Sequence, residues 1–209
     1  EILYKKALFK ECNKFVSRAK KQAILHEKFY YWFELLSWEK LLLEEAYEAG
    51  KFDRNLDDLI DEEQQVIDKL RNLAEYEMLY SRINYLYRSG GFSKNEEERK
   101  EVDKIANHPL IKGKNTALSS SAATICYYIQ GLCSATNRDY QTSFIKFLRV
   151  KEILDNNPLL KRDLAKRYVR TLKNLLYCYI DNNELDKAEQ TIQMMRDLPS
   201  EKGFDSIDV

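Results

Sequence analysis

Histidine, the side chain best suited to proton transfer near neutral pH, occurs only twice in this 209-residue chain, at His26 and His108. Both fall at expected helix ends, and neither has a Cys or Ser motif beside it that would make a nucleophile and base. Cys12, Cys126, Cys133 and Cys178 show no Cys-x-x-Cys spacing. Cys126 and Cys133 are seven apart on one expected helix, too far along its face for an ordinary disulfide. All four read as small buried apolar groups in a reducing compartment, which points to a cytoplasmic protein. Glu44-Glu45 and Asp61-Glu62-Glu63 are adjacent carboxylates that point in different directions on a helix, whereas an acid–base dyad needs them facing. Gly90-Gly91 lacks the Lys-Ser/Thr of a phosphate loop and reads as a helix stop. Ser119-Ser120-Ser121 reads as the capping region of a helix, with phosphorylation as the other reading. The chain is therefore expected to be no enzyme, with no catalytic residue, metal or cofactor.

Charge points the same way. Lys+Arg and Asp+Glu are equal at 34 each, so the chain as a whole has no positive field for non-specific nucleic-acid binding. Two local basic clusters stand out: Lys5, Lys6, Lys10, Lys14, Arg18, Lys20 and Lys21, and then Lys161, Arg162, Lys166, Arg167, Arg170 and Lys173. With Tyr168 and Tyr177 as stacking planes, the second would suit RNA, and that reading stays open as the lesser alternative. No apolar run reaches the roughly 18 residues a membrane helix needs. The sequence begins at Glu1, without Met and already inside a helical pattern, so a longer protein is expected upstream.

Six Gly and three Pro leave little material for tight turns and favour long helices with short connections. Apolar residues recur at helical spacing over about 2–25, 28–49, 57–73, 75–89, 117–136, 140–156, 161–181 and 184–197. Gly50 is placed to end the second of these, and Ser93-x-x-Glu96 reads as a capping box for a short charged helix reaching Ala106. The expected architecture is all-α: one domain over residues 1–199, made of a lone leading helix at 2–25 and hairpins starting near 29, 75, 117 and 161. Residues 200–209 carry no periodicity and read as a tail or linker.

Within the closing third, Gly131, Tyr140, Ser143, Phe147 and Val150 are answered by Leu185, Ala188, Ile192 and Met195 about 45 residues on, with Pro109, Pro158 and Pro199 near the ends of units. This grammar resembles the tetratricopeptide repeat family in divergent form. The match is good over about 117–199 and weaker over 1–116, and Leu176 stands where the family has Gly. The resemblance implies a right-handed α-solenoid whose first helices line a concave face. Arg170, Lys173 and Tyr177 would then be exposed on the last such helix, beside Ile125, Tyr128 and Leu132 on the preceding one. Together they would form a groove for a peptide bearing a carboxylate or acidic cluster. The plainer reading makes Ile125, Tyr128 and Leu132 core and the cations a solvated face. Of the family's carboxylate clamp only Lys173 is in place, because Tyr177 replaces its Asn. The function implied is a non-catalytic interaction scaffold or regulatory module, with an effector-sensing helical domain as the alternative.

Overall fold

The computed structural model describes residues 2–47, 55–90, 92–198 and 204. Among them the secondary structure is helical, without strands. The stops expected at Gly50 and Pro199, and the tail apart from Phe204, lie outside the described residues. The chain divides into two compact units, Glu1–Arg71 and Asn72–Val209, and the expected repeat domain over 1–199 spans both.

The first unit contains α1 (Ile2–Lys5), α2 (Phe9–Leu25), α3 (Phe29–Tyr47) and the opening of α4 (Leu56–Gly90). The helix expected over 2–25 is broken at Ala7, whose φ of 55° is left-handed. Leu8 N–H donates to the Leu3 carbonyl and Ala7 N–H to that of Tyr4, the two main-chain bonds of a Schellman turn. Nor is α2 a lone helix. Glu27, at φ 50°, closes the same turn between α2 and α3, and the two pack as a hairpin. Cys12, Val16 and Leu42 are buried between them, flanked by Tyr4, Phe9 and Trp38.

Polar groups also join the helices of this unit. Lys20 on α2 is 8% exposed and donates to Glu39 of α3 at 2.6 Å and to Glu62 of α4 at 3.2 Å. Trp32 Nε1 donates to the other Glu62 oxygen at 2.7 Å. A buried charge network of this kind gives orientation more than net stability, because each ion was taken out of water.

Residues 57–73 and 75–89, expected as two helices, belong to the single helix α4. No Gly or Pro stands between Leu70 and Tyr76, so nothing in that stretch stops a helix. From Asn72 onward α4 belongs to the second unit. There it precedes α5 (Glu96–Ala106), α6 (Pro109–Lys112), α7 (Ser120–Thr136), α8 (Tyr140–Asp155), α9 (Pro158–Asp163), α10 (Ala165–Asp181) and α11 (Leu185–Asp197). The expected helix at 161–181 thus splits into α9 and α10. Pro109 and Pro158 each open a short helix, where a missing N–H costs nothing.

The capping box at α5 sits two residues later than the sequence suggests. Asn95 Oδ1 accepts from Glu98 N–H at 2.8 Å, and Glu98 returns by accepting from Lys94 N–H at 2.7 Å. The irregular stretch after α6 is tied to α4. Asn72 donates to the Thr116 carbonyl and accepts from Leu118 N–H, both at 3.0 Å. The buried Tyr76 hydroxyl donates to the Leu110 carbonyl at 2.9 Å.

α7 packs on α8, α8 on α10, and α10 on α11. Arg138 (φ 62°) and Asn183 (φ 57°) close the α7–α8 and α10–α11 corners with the Schellman bonds already seen at Ala7 and Glu27. Ser143, Phe147 and Val150 are buried against α7, while Tyr140 at the head of α8 is exposed. On α11 the buried positions are Ala188 and Thr191, with Met195 half-buried. Leu185 and Ile192, expected among the inward repeat positions, are exposed, so the buried stripe runs through Thr191 instead. Phe204, placed by sequence in a structureless tail, is 1% exposed and packs edge-on against Tyr168 at 6.0 Å.

Candidate interaction surface

α10 is amphipathic in an unusual way. Its inward face carries Tyr168, Leu172 and Leu175, buried in the core of the second unit. Its outward face presents Lys166, Arg170, Lys173 and Tyr177 at helical spacing, all exposed, with Ile180 continuing the stripe. No carboxylate interrupts it, although the chain has as many acids as bases. Among the described residues none of these three cations has a salt bridge. Arg170 donates to the Tyr80 hydroxyl at 3.2 Å, and Lys173 lies 6.0 Å over the Tyr177 ring. Both interactions orient a cation without neutralising it.

Along one edge the stripe is backed by a polar seam. Arg167 bonds Glu77 of α4 at 3.2 Å and Thr124 of α7 at 3.3 Å. Asn174 Nδ2 donates to the Tyr128 hydroxyl at 3.1 Å. Tyr128 in turn meets Tyr80 edge-on at 5.8 Å and Phe147 at 5.2 Å. Burial pushes the Tyr128 phenol well above its usual range, so it serves as a neutral hydrogen-bonding group.

This geometry corrects part of the expected groove. Ile125, Tyr128 and Leu132 are buried at 0%, 4% and 1% exposure and form core, as the plainer reading has it. At Tyr128 the stripe is covered by Tyr80 of α4, Phe147 of α8 and Asn174 of α10. Arg170, Lys173 and Tyr177 are exposed and adjacent. Sequence reasoning missed Tyr80 and Asn174. Their roles depend on α4 and α10 lying beside α7, which no local spacing encodes.

The four cysteines are free and buried. Burial raises the Cys126 and Cys178 thiols and pushes Cys133 up to about 12, so these three are neutral near pH 7 and poor nucleophiles. Among the described residues no group of three His, Cys, Asp or Glu is placed to hold a metal, and no helix is long and apolar enough to cross a membrane. Comparison with family models, curated proteins and solved structures found no match.

Proposed function

We propose that the chain is a non-catalytic protein-interaction module in which the hairpins α7–α8 and α10–α11 are successive units of a right-handed, tetratricopeptide-like solenoid. Its ligand is an acidic peptide segment that lies along α10. The observation that carries this reading is the outward α10 stripe, with Lys166, Arg170 and Lys173 exposed and unneutralised and Tyr177 at its end. Among the described residues these three cations have no acid partner in a chain of balanced charge, and the contacts of Arg170 with Tyr80 and of Lys173 with Tyr177 leave their charge intact. Carboxylates docked on them would gain charge-assisted hydrogen bonds. Rigid stacked helices keep the ordering cost of docking low, and the buried free cysteines suit a reducing, cytoplasmic setting.

The test is fluorescence polarisation with a labelled Glu/Asp-rich peptide, its Gln/Asn counterpart and a single-stranded RNA. The acidic peptide should bind saturably, and R170E/K173E should abolish binding while leaving the far-UV circular dichroism unchanged. Equal binding of the neutral peptide, or binding that survives the double reversal, overturns the reading. Tighter binding of RNA, falling steeply with salt, replaces it with nucleic-acid recognition.

A further inference from the structure

Ser93, the residue that the sequence casts as a helix cap, is released from that task by Asn95. Its N–H donates to the Thr136 carbonyl at 3.4 Å. Its hydroxyl is buried and has no hydrogen-bond partner among the described residues. A buried polar atom left unpaired in a native fold calls for a physical reason. Ser93 lines a cleft of about 360 Å³ together with Arg99 and Asp103 of α5 and Thr136, Asn137 and Arg138 at the α7–α8 corner.

Among the described residues neither guanidinium group there has a salt bridge. Basic residues near a helix C-terminus commonly bond its last carbonyls. In α7 those carbonyls are already taken by main-chain N–H groups: Cys133 by Asn137, Ser134 by Asp139, Ala135 by Arg138 and Thr136 by Ser93. Arg99 and Asp103 have the spacing of an intrahelical pair but form no salt bridge. The Asp103 carboxylate instead meets Asn137 Nδ2 at 3.5 Å. Arg138 lies 4.7 Å over the Phe92 ring, which fixes its direction and leaves its charge intact.

We propose that this cleft binds a phosphate group, with Arg99 and Arg138 on its oxygens and the Ser93 hydroxyl, turned about its Cα–Cβ bond, as a neutral donor. Two cations and one carboxylate line the cleft, a balance that favours an anion, and a guanidinium group can match an oxyanion bidentately. The volume exceeds that of bare phosphate and leaves room for a small attached group.

The probes are inorganic phosphate, O-phospho-L-serine and, as control, L-serine, each titrated into the full chain at fixed ionic strength and followed by amide NMR. Saturable shifts at Ser93, Arg99 and Asn137 are expected with inorganic phosphate and with phosphoserine and not with serine. Tighter phosphoserine binding assigns the site to an ester, and tighter inorganic phosphate assigns it to the free ion. Arg99→Gln and Arg138→Asn, the latter tolerant of the left-handed backbone, should each weaken binding roughly tenfold or more. Asp103→Asn should tighten it, and R170E/K173E should leave it unchanged. Absence of saturation, indifference to both arginine substitutions, or shifts confined to the α10 stripe overturns the proposal while leaving the peptide-docking reading to its own test.

Discussion

The Ser143 hydroxyl donates to the Gly131 carbonyl at 2.9 Å, joining the middle of α7 to the first turn of α8 where both are buried. The bond exists because the helices approach closely enough for a side chain on one to reach the backbone of the other. That approach in turn requires residue 131 to have no side chain. A Cβ built on Gly131 would stand 2.9 to 3.1 Å from three atoms of the Phe147 ring.

Gly131→Leu should therefore destabilise the second unit by about 1–3 kcal/mol through overpacking, read as a lower urea midpoint. Phe147→Ala in the same chain should recover part of that loss, since the two changes share one space. Additive losses would place the obstruction elsewhere.

Lys20→Met is expected to be costly in the first unit. It removes the ammonium that bonds the buried Glu39 and the half-buried Glu62 carboxylates, a loss on the order of 3–5 kcal/mol. K20M/E39Q should be less destabilised than K20M alone, because one of the two carboxylates that Lys20 bonded is then neutral. Chemical denaturation of the pair of variants decides it, and a loss from K20M no larger than at a surface lysine would mean the network is solvated.

Cys133 makes a prediction with a definite sign. Its folded-state pKa is about 12 against an ordinary 9.0, raised first by burial and then by the Asp103 charge. Above pH 9 the unfolded chain loses this proton while the folded chain keeps it, so the residue's contribution to stability falls as pH rises towards 12. Unfolding free energies of the wild type and Cys133→Ala, measured from pH 8 to 10.5, should converge towards high pH by up to about 1.4 kcal/mol per unit. A constant difference would show that the thiol titrates normally.

The sequence makes the closing hairpins legible because their signals are local. Gly131, Ser143, Phe147 and Val150 lie on two short helices, and Asp139 and Asn183 mark the corner between helices. Elsewhere the structure departs from the repeat pattern or depends on distant elements. α4 runs unbroken because nothing stops it, although a regular repeat length would divide it. Ser93 and Asn95 both have capping chemistry, and it is Asn95 whose side chain accepts from Glu98 N–H, while Ser93 N–H bonds the distant Thr136 carbonyl. The exposure of Arg170, Lys173 and Tyr177 is what the family resemblance implies, and their helical spacing puts them on one stripe. The burial of Tyr128 depends on α4, α8 and α10, which no local spacing encodes.

Four helix corners, at Ala7, Glu27, Arg138 and Asn183, adopt a left-handed backbone without glycine, each closed by the same two main-chain bonds. Glycine would relieve backbone strain of about 1–2 kcal/mol at any of them, yet it would bring no functional group. A corner held by its peptide groups leaves its side chain free for other work. At Arg138 that freedom sets a guanidinium at the rim of a cleft, so this tolerance of strain makes room for recognition chemistry at a bend that otherwise only reverses the chain.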